Sequence, residues 1–83
     1  MSTNLFVGSL PFSTTDDDLK AHFEQAGKVV SARVITDRDS GRSRGFGFVE
    51  MEDDESAKKA IEMLNGKPLG GRDLVVNVAR ERQ

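Results

Sequence analysis

Cysteine, tryptophan and tyrosine are absent from the 83 residues, and there are only one histidine and two prolines. Without cysteine there can be no disulfide framework and no thiolate zinc site, and the redox compartment stays open. No apolar run approaches the roughly 20 residues that cross a bilayer. The opening Met1-Ser2-Thr3-Asn4 lacks the basic-then-apolar layout of a secretory signal, so a cytoplasmic protein with no membrane association is expected. A large excess of either charge is missing too. The net charge is −2 and the pI about 5.3, which at first sight argues against a polyanionic partner.

What is present suits one small soluble domain. The hydrophobic fraction is 36% and the charged fraction 31%, far from a disordered composition. A chain this short has room for one core, and almost every apolar residue is needed to fill it. Charge is distributed in blocks. Residues 1–27 carry a net −3, residues 28–44 a net +3, residues 45–65 a net −4 and residues 66–83 a net +2. The negative blocks coincide with the helical patterns below, and the positive blocks with strands and loops.

Asn4 to Ser9 alternates around Leu5 and Val7 and reads as a strand closed by Leu10-Pro11. Thr14-Thr15 followed by Asp16, Asp17 and Asp18 starts a helix: a Thr cap with acids at the positive end of the dipole. Leu19, Phe23 and Ala26 form its apolar stripe and Gly27 is expected at its C-cap. Val29 to Thr36 is β-branched, with Val30, Ala32 and Val34 on one face and Ser31, Arg33 and Ile35 on the other. Asp37 to Ser43 is a polar hairpin loop turning at Ser40-Gly41, and Arg44 to Met51 is the next strand. A second helix starts at Glu52-Asp53-Asp54-Glu55, carries Ala57, Ala60, Ile61 and Leu64, and stops at Asn65-Gly66. Gly70-Gly71 precedes a last strand, Asp73 to Ala79, with Leu74, Val76 and Val78 on one face.

The order strand, helix, strand, strand, helix, strand is that of a ferredoxin-like α+β sandwich: a four-stranded antiparallel sheet with two helices on one face. The expected domain is the whole chain, residues 1–83, with a core over about 4–80. Each helix has a single apolar stripe and can cover only one layer, so the other sheet face stays open. In the third strand Val49 and Met51 suit the core, which turns Phe46 and Phe48 outward; in the first, Leu5 and Val7 turn Phe6 outward. Three phenylalanines on an uncovered face need a partner, and every nucleic-acid base has a π-face to stack on them. The glycines beside them, Gly45 and Gly47, are expected to let the helices approach the sheet backbone closely.

Arg44-Gly45-Phe46-Gly47-Phe48-Val49-Glu50-Met51 resembles the ribonucleoprotein octamer of the RNA-recognition motif family, and Leu5-Phe6-Val7-Gly8-Ser9-Leu10 resembles its partner hexamer. The likeness runs through the whole chain, and as a lone module it looks like the small single-module RNA-binding proteins of bacteria. The resemblance implies single-stranded RNA binding, in a regulatory or chaperone role. Phe6 and Phe48 would each stack on a base, Phe46 would pack against sugars, and Arg44 would pair with a phosphate. Arg33, Ile35, Val75 and Asn77 would extend the surface, with Ala79 and Arg80 just beyond the sheet. Lys28, Arg38 and Arg42 are candidates for looser phosphate contacts. Where the family's octamer ends in an aromatic this chain has Met51, and Glu50 on the sheet face should weaken non-specific affinity.

Other readings are poorer. Reversing the faces would expose Leu5, Val7, Val49 and Met51. The acidic helix starts offer no convergent metal ligands, and Gly45-Phe46-Gly47 has neither the third glycine nor the following helix of a dinucleotide site. A small acyl phosphatase of this architecture would need an anion-cradling loop after the first strand, which Ser9-Leu10-Pro11-Phe12 does not provide. No enzyme activity, cofactor or metal is expected. A monomer is expected. Single-stranded DNA is a possible second ligand, because stacking ignores the 2′-hydroxyl, and a protein-docking role for the same fold is the alternative.

Overall fold

Leu5 and Val7 are fully buried, while Asn4 is exposed and Phe6 half-buried. That alternation sets the two layers of the molecule. A computed structural model describes residues 2–79. Its elements are β1 (Thr3–Gly8), α1 (Asp16–Phe23), β2 (Val29–Thr36), β3 (Ser43–Met51), α2 (Asp54–Leu64), β4 (Pro68–Leu69), β5 (Arg72–Asp73) and β6 (Val75–Val78). The main sheet runs β2-β3-β1-β6, antiparallel at every pairing, and both helices pack on the side of Leu5 and Val7. The expected ferredoxin-like sandwich is therefore the observed one. The core between the layers includes Leu19 and Phe23 of α1, Ala57, Ala60 and Leu64 of α2, and Val49, Met51 and Val76 of the sheet.

Both helix starts are built as their sequences indicate. Thr15 is the N-cap of α1, and its side chain accepts from Asp18 N while Asp18 Oδ2 accepts from Thr15 N, a reciprocal capping box. Asp53 caps α2 by accepting from Ser56 N at 2.8 Å. Beyond α2, Asn65 Oδ1 accepts from Val76 N at 2.9 Å, and Gly66 N donates to Leu74 O at 2.7 Å. These bonds tie the helix end to edge strand β6. On the opposite edge, Asp16 Oδ1 accepts from Val34 N at 2.7 Å.

The structure corrects the sequence reading in five places. In β2 the register slips between Val29 and Ser31. This bulge puts Val29 in the core and leaves Val30 53% exposed, so Val30 does not share a face with Ala32 and Val34. Helix α1 ends at Phe23, and Gly27 does not have a left-handed backbone. Its role is proximity: a Cβ there would lie 2.6 Å from Ser56 Oγ. Leu10, read as part of a breaker, is fully buried, because Ser9 adopts φ 61° and resets the alternation. The last strand is interrupted. Gly70 and Gly71, at φ 60° and 90°, make the two-residue turn of a β4–β5 hairpin, and Val78 is 53% exposed rather than core.

The fifth correction concerns the glycines of β3. A Cβ on Gly47 would overlap the carbonyl oxygen of Arg33 and come within 3.1 Å of Val34 Cα. The close approach is by strand β2, not by a helix. Gly45 is needed for its φ of 87° and donates no space to a helix either; the nearest atom to a Cβ there is in the Phe12 ring. Gly47→Ala should therefore push β2 off β3 and cost about 2 kcal/mol. Urea denaturation would show it as a lowered midpoint; an unchanged midpoint would contradict the close-approach account.

His22 is half-buried against Phe23. Gln25 Nε2 donates to His22 O at 2.8 Å and lies 3.2 Å from His22 Nδ1, while Nε2 of the imidazole is buried without a partner. Burial lowers the imidazole's basicity below its ordinary 6.5. The unfolded chain thus takes up this proton more readily than the folded one. The associated stability is complete above pH 6.5 and is lost as the pH falls through the lower folded-state value. Asp53 runs in the same direction in stronger acid: the bond from Ser56 N holds it below 3.8, so its contribution is lost below that range. Denaturation midpoints should fall in two steps from neutral to acid pH, and His22→Leu should remove the upper one. Wild-type and variant curves that stay parallel through the upper step would show that His22 is not its source.

Candidate nucleic-acid interface

The open sheet face is ordered in rows, because residues directly opposite in antiparallel strands share a side. The middle row is Arg33, Phe48, Phe6 and Asn77, one residue from each strand. Above it lie Phe46, Gly8 and Val75. Below it lie Ser31, Glu50 and Asn4, and Ala79 joins this end by donating its N–H to Asn4 O at 2.8 Å.

The three phenylalanines form a closed triad. Ring centroids are 5.8 Å apart for Phe6 and Phe46, 5.9 Å for Phe6 and Phe48, and 6.2 Å for Phe46 and Phe48. Edge-to-face and tilted contacts at these separations are attractive, so the rings hold one another in place. They also shield one another. Phe48 is 39% exposed, whereas Phe6 and Phe46 are half-buried; of the three rings expected to be exposed, Phe48 is the most open and none is bare. Val75 and Asn77 are exposed on β6, Arg33 is exposed on β2, and Ile35 is half-buried where the β2–β3 register shifts again.

Arg44 is exposed at the start of β3, and Arg38 and Arg42 are exposed in the β2–β3 loop. That loop is organised by Asp37, whose carboxylate accepts from Asp39 N at 2.8 Å and whose N–H donates to Arg42 O at 2.7 Å. Lys28 is at the other end of β2, 4.0 Å from Glu52 in an exposed ion pair. It does not join the loop arginines. Arg80 lies outside the described residues. Among the described residues no cluster of His, Asp and Glu could hold a metal, and no helix is long and apolar enough to cross a membrane.

Besides Asn4 and Ser31 of the lower row, two residues near this surface were not assigned from sequence. Phe12 is 67% exposed and faces a cleft of about 500 Å³ with Gly41, Arg42 and Ser43. Gly8 is the other. A Cβ on it would lie 3.0 Å from Cε2 of Phe6, so the Phe6 ring lies over the bare backbone of Gly8 and reaches Phe46. Parity along β1 gives the face of Phe6 but not the lean of its ring.

The octamer and hexamer thus lie side by side, in register, with their aromatics in contact. The RNA recognition motif family matches residues 5–75. The chain belongs to that family. It is similar to glycine-rich RNA-binding protein 8 of Arabidopsis thaliana, 51% identical over 77 residues, which are 93% of this chain and 46% of that protein. It is also similar to the mitochondrial glycine-rich RNA-binding protein 4 of the same plant, 51% identical over 82 residues, 99% of this chain and 60% of that one. The chain spans about half the length of the curated relatives it matches. Among solved structures, the crystal structure of RNA binding protein PG1 superposes with a TM-score of 0.91 at 52% identity over 98% of both chains. The Rna15 RRM with bound RNA (GU) superposes at 0.84 with 31% identity, over 94% of this chain and 83% of that one.

In this RNA recognition motif the triad depends on Gly8 leaving room for a ring. Gly8→Ala should tilt Phe6 without unfolding the sheet, since the far end of a side chain gives way more cheaply than backbone. The expected result is a displacement of the Phe6 and Phe46 ring-proton resonances, with a melting temperature close to wild type. Unmoved ring resonances would show that Gly8 does not set the lean.

Proposed function

We propose that the chain is a non-catalytic module that binds single-stranded RNA on the open sheet face, as a post-transcriptional regulator or RNA chaperone. The observation that carries this reading is the Phe6–Phe46–Phe48 triad, in mutual contact on the uncovered side of the sheet. Family membership and the RNA-binding names of the relatives support it. Phe48, the most exposed ring of the triad, and Phe6 offer π-faces to two bases, and Phe46 lies against the sugars between them. Arg44 supplies the main phosphate contact, with Arg38 and Arg42 weaker because their loop is solvated.

The balance of forces is unusual in its emphasis. Each base stacked on an aromatic contributes roughly 1–3 kcal/mol, whereas each neutralised phosphate contributes a salt-dependent term. With a net charge of −2 the ionic share is small, so affinity rests on the rings, and a short oligomer should bind with a Kd in the micromolar range, roughly −8 kcal/mol. Titration of short single-stranded RNA should show Phe48→Ala weakening binding about tenfold or more. Arg44→Ala should instead flatten the salt dependence by about 0.7 in slope. Equal affinity of wild type and Phe48→Ala would sink the stacking mechanism. Competition with single-stranded DNA of the same sequence measures how much the 2′-hydroxyl contributes.

A further inference from the structure

The lower row of the open face has a chemistry unlike the rest. Ser31, Glu50 and Asn4 lie in register across β2, β3 and β1, and Glu50 is half-buried there. Glu50 is two residues from Phe48 and Asn4 two residues from Phe6, so each lies about 7 Å along its strand from a stacking ring. That is the width of a base. A base lying on the triad therefore presents an edge to this row. Among the described residues, the polar contact of Glu50 is a long bond from Ser31 Oγ, 3.4 Å from Oε1, and the ion pair found is Lys28 with Glu52 rather than with Glu50.

An ionised carboxylate only accepts hydrogen bonds. Facing a polyanion it opposes binding unless the ligand brings donors to it. The Watson–Crick edge of guanine carries two adjacent donors, N1–H and the N2 amine, beside the acceptor O6. Adenine and cytosine place a single amine next to an acceptor, and uracil places its N–H between two acceptors. Guanine alone can give a carboxylate two parallel charge-assisted bonds; each of the others turns at least one lone pair toward it. Asn4, opposite Glu50, has an amide N–H to give to O6.

We propose that Glu50, paired across the sheet with Asn4, makes this end of the face a guanine-selecting subsite. The proposal rests on the RNA-binding reading above and adds a base preference to it. Glu50 is then a specificity determinant, accepting N1–H and N2–H through its two carboxylate oxygens, with Asn4 donating to O6. Ser31 steadies the carboxylate through its hydroxyl.

The test is a fluorescence-anisotropy titration of the protein with uridine oligomers carrying one central guanosine, inosine, adenosine, cytidine or uridine. Wild type should prefer guanosine over adenosine and cytidine by roughly tenfold, the scale of one bidentate base contact. Inosine, which lacks the N2 amine, should lose about half of that preference on a logarithmic scale. Glu50→Gln should bring guanosine close to the other bases while leaving their affinities at or slightly above wild type. Urea denaturation of Glu50→Gln establishes that the fold persists, and the inosine arm tests the proposal on wild type alone. The proposal is overturned if wild type shows no guanosine preference. It is overturned equally if guanosine and inosine bind alike, or if Glu50→Gln strengthens all oligomers by one common factor, the mark of simple repulsion. Binding of the all-uridine oligomer separates the two levels: if it persists and depends on Phe48, the RNA-binding reading stands whatever becomes of Glu50.

Discussion

Two helices with one apolar stripe each can cover only one side of a four-stranded sheet, and the rest of the molecule depends on which side that is. Leu5, Val7, Val49, Met51 and Val76 are fully buried, so alternation forces Phe6, Phe48, Asn77 and Glu50 to the opposite face. A slip of one residue between β1 and β3 would exchange the two sets. The core therefore specifies the binding surface without touching it. Irregularity in the sheet lies toward its edges: both register shifts are on edge strand β2, and the break after Asp73 comes before β6 enters the sheet.

Much of this was legible in the sequence because it is local. The Thr cap of α1, the acidic start of α2, the order of elements, and the parity of Phe6, Phe46 and Phe48 all follow from short-range patterns. The failures have a common cause. Periodicity puts Val30 with Ala32 and Val34 because it carries no sign of a bulge, which depends on pairing with β3. Gly27 and Gly47 are required by atoms distant in sequence, Ser56 and Arg33, so local rules point to a helix cap for the one and a helix contact for the other. The turn signal of Leu10-Pro11 hides a core residue, and Gly70-Gly71 is the tip of its own hairpin rather than the prelude to a strand. At the site, membership of the face was readable residue by residue. The rows across it were not, since they need the inter-strand register.

Charge is arranged around this geometry. Acids crowd the first turns of α1 and α2, at the positive ends of the helix dipoles, and the loop arginines border the far end of the sheet. The middle of the face is aromatic, with Arg33 at one end of the central row and Asn77 at the other. A net charge read over the whole chain averages surfaces that point in different directions and so hides the character of each.

The bonds from Val34 N to Asp16 and from Val76 N to Asn65 lie on β2 and β6, the two outer strands. An uncapped edge is a template for another strand. With these amides already engaged, an incoming chain would have to displace a side chain before it could extend the sheet. Copies of the module crowded together, or joined in series on one polypeptide, are thus hindered from zipping edge to edge, and each keeps its broad face available to a ligand that arrives flat.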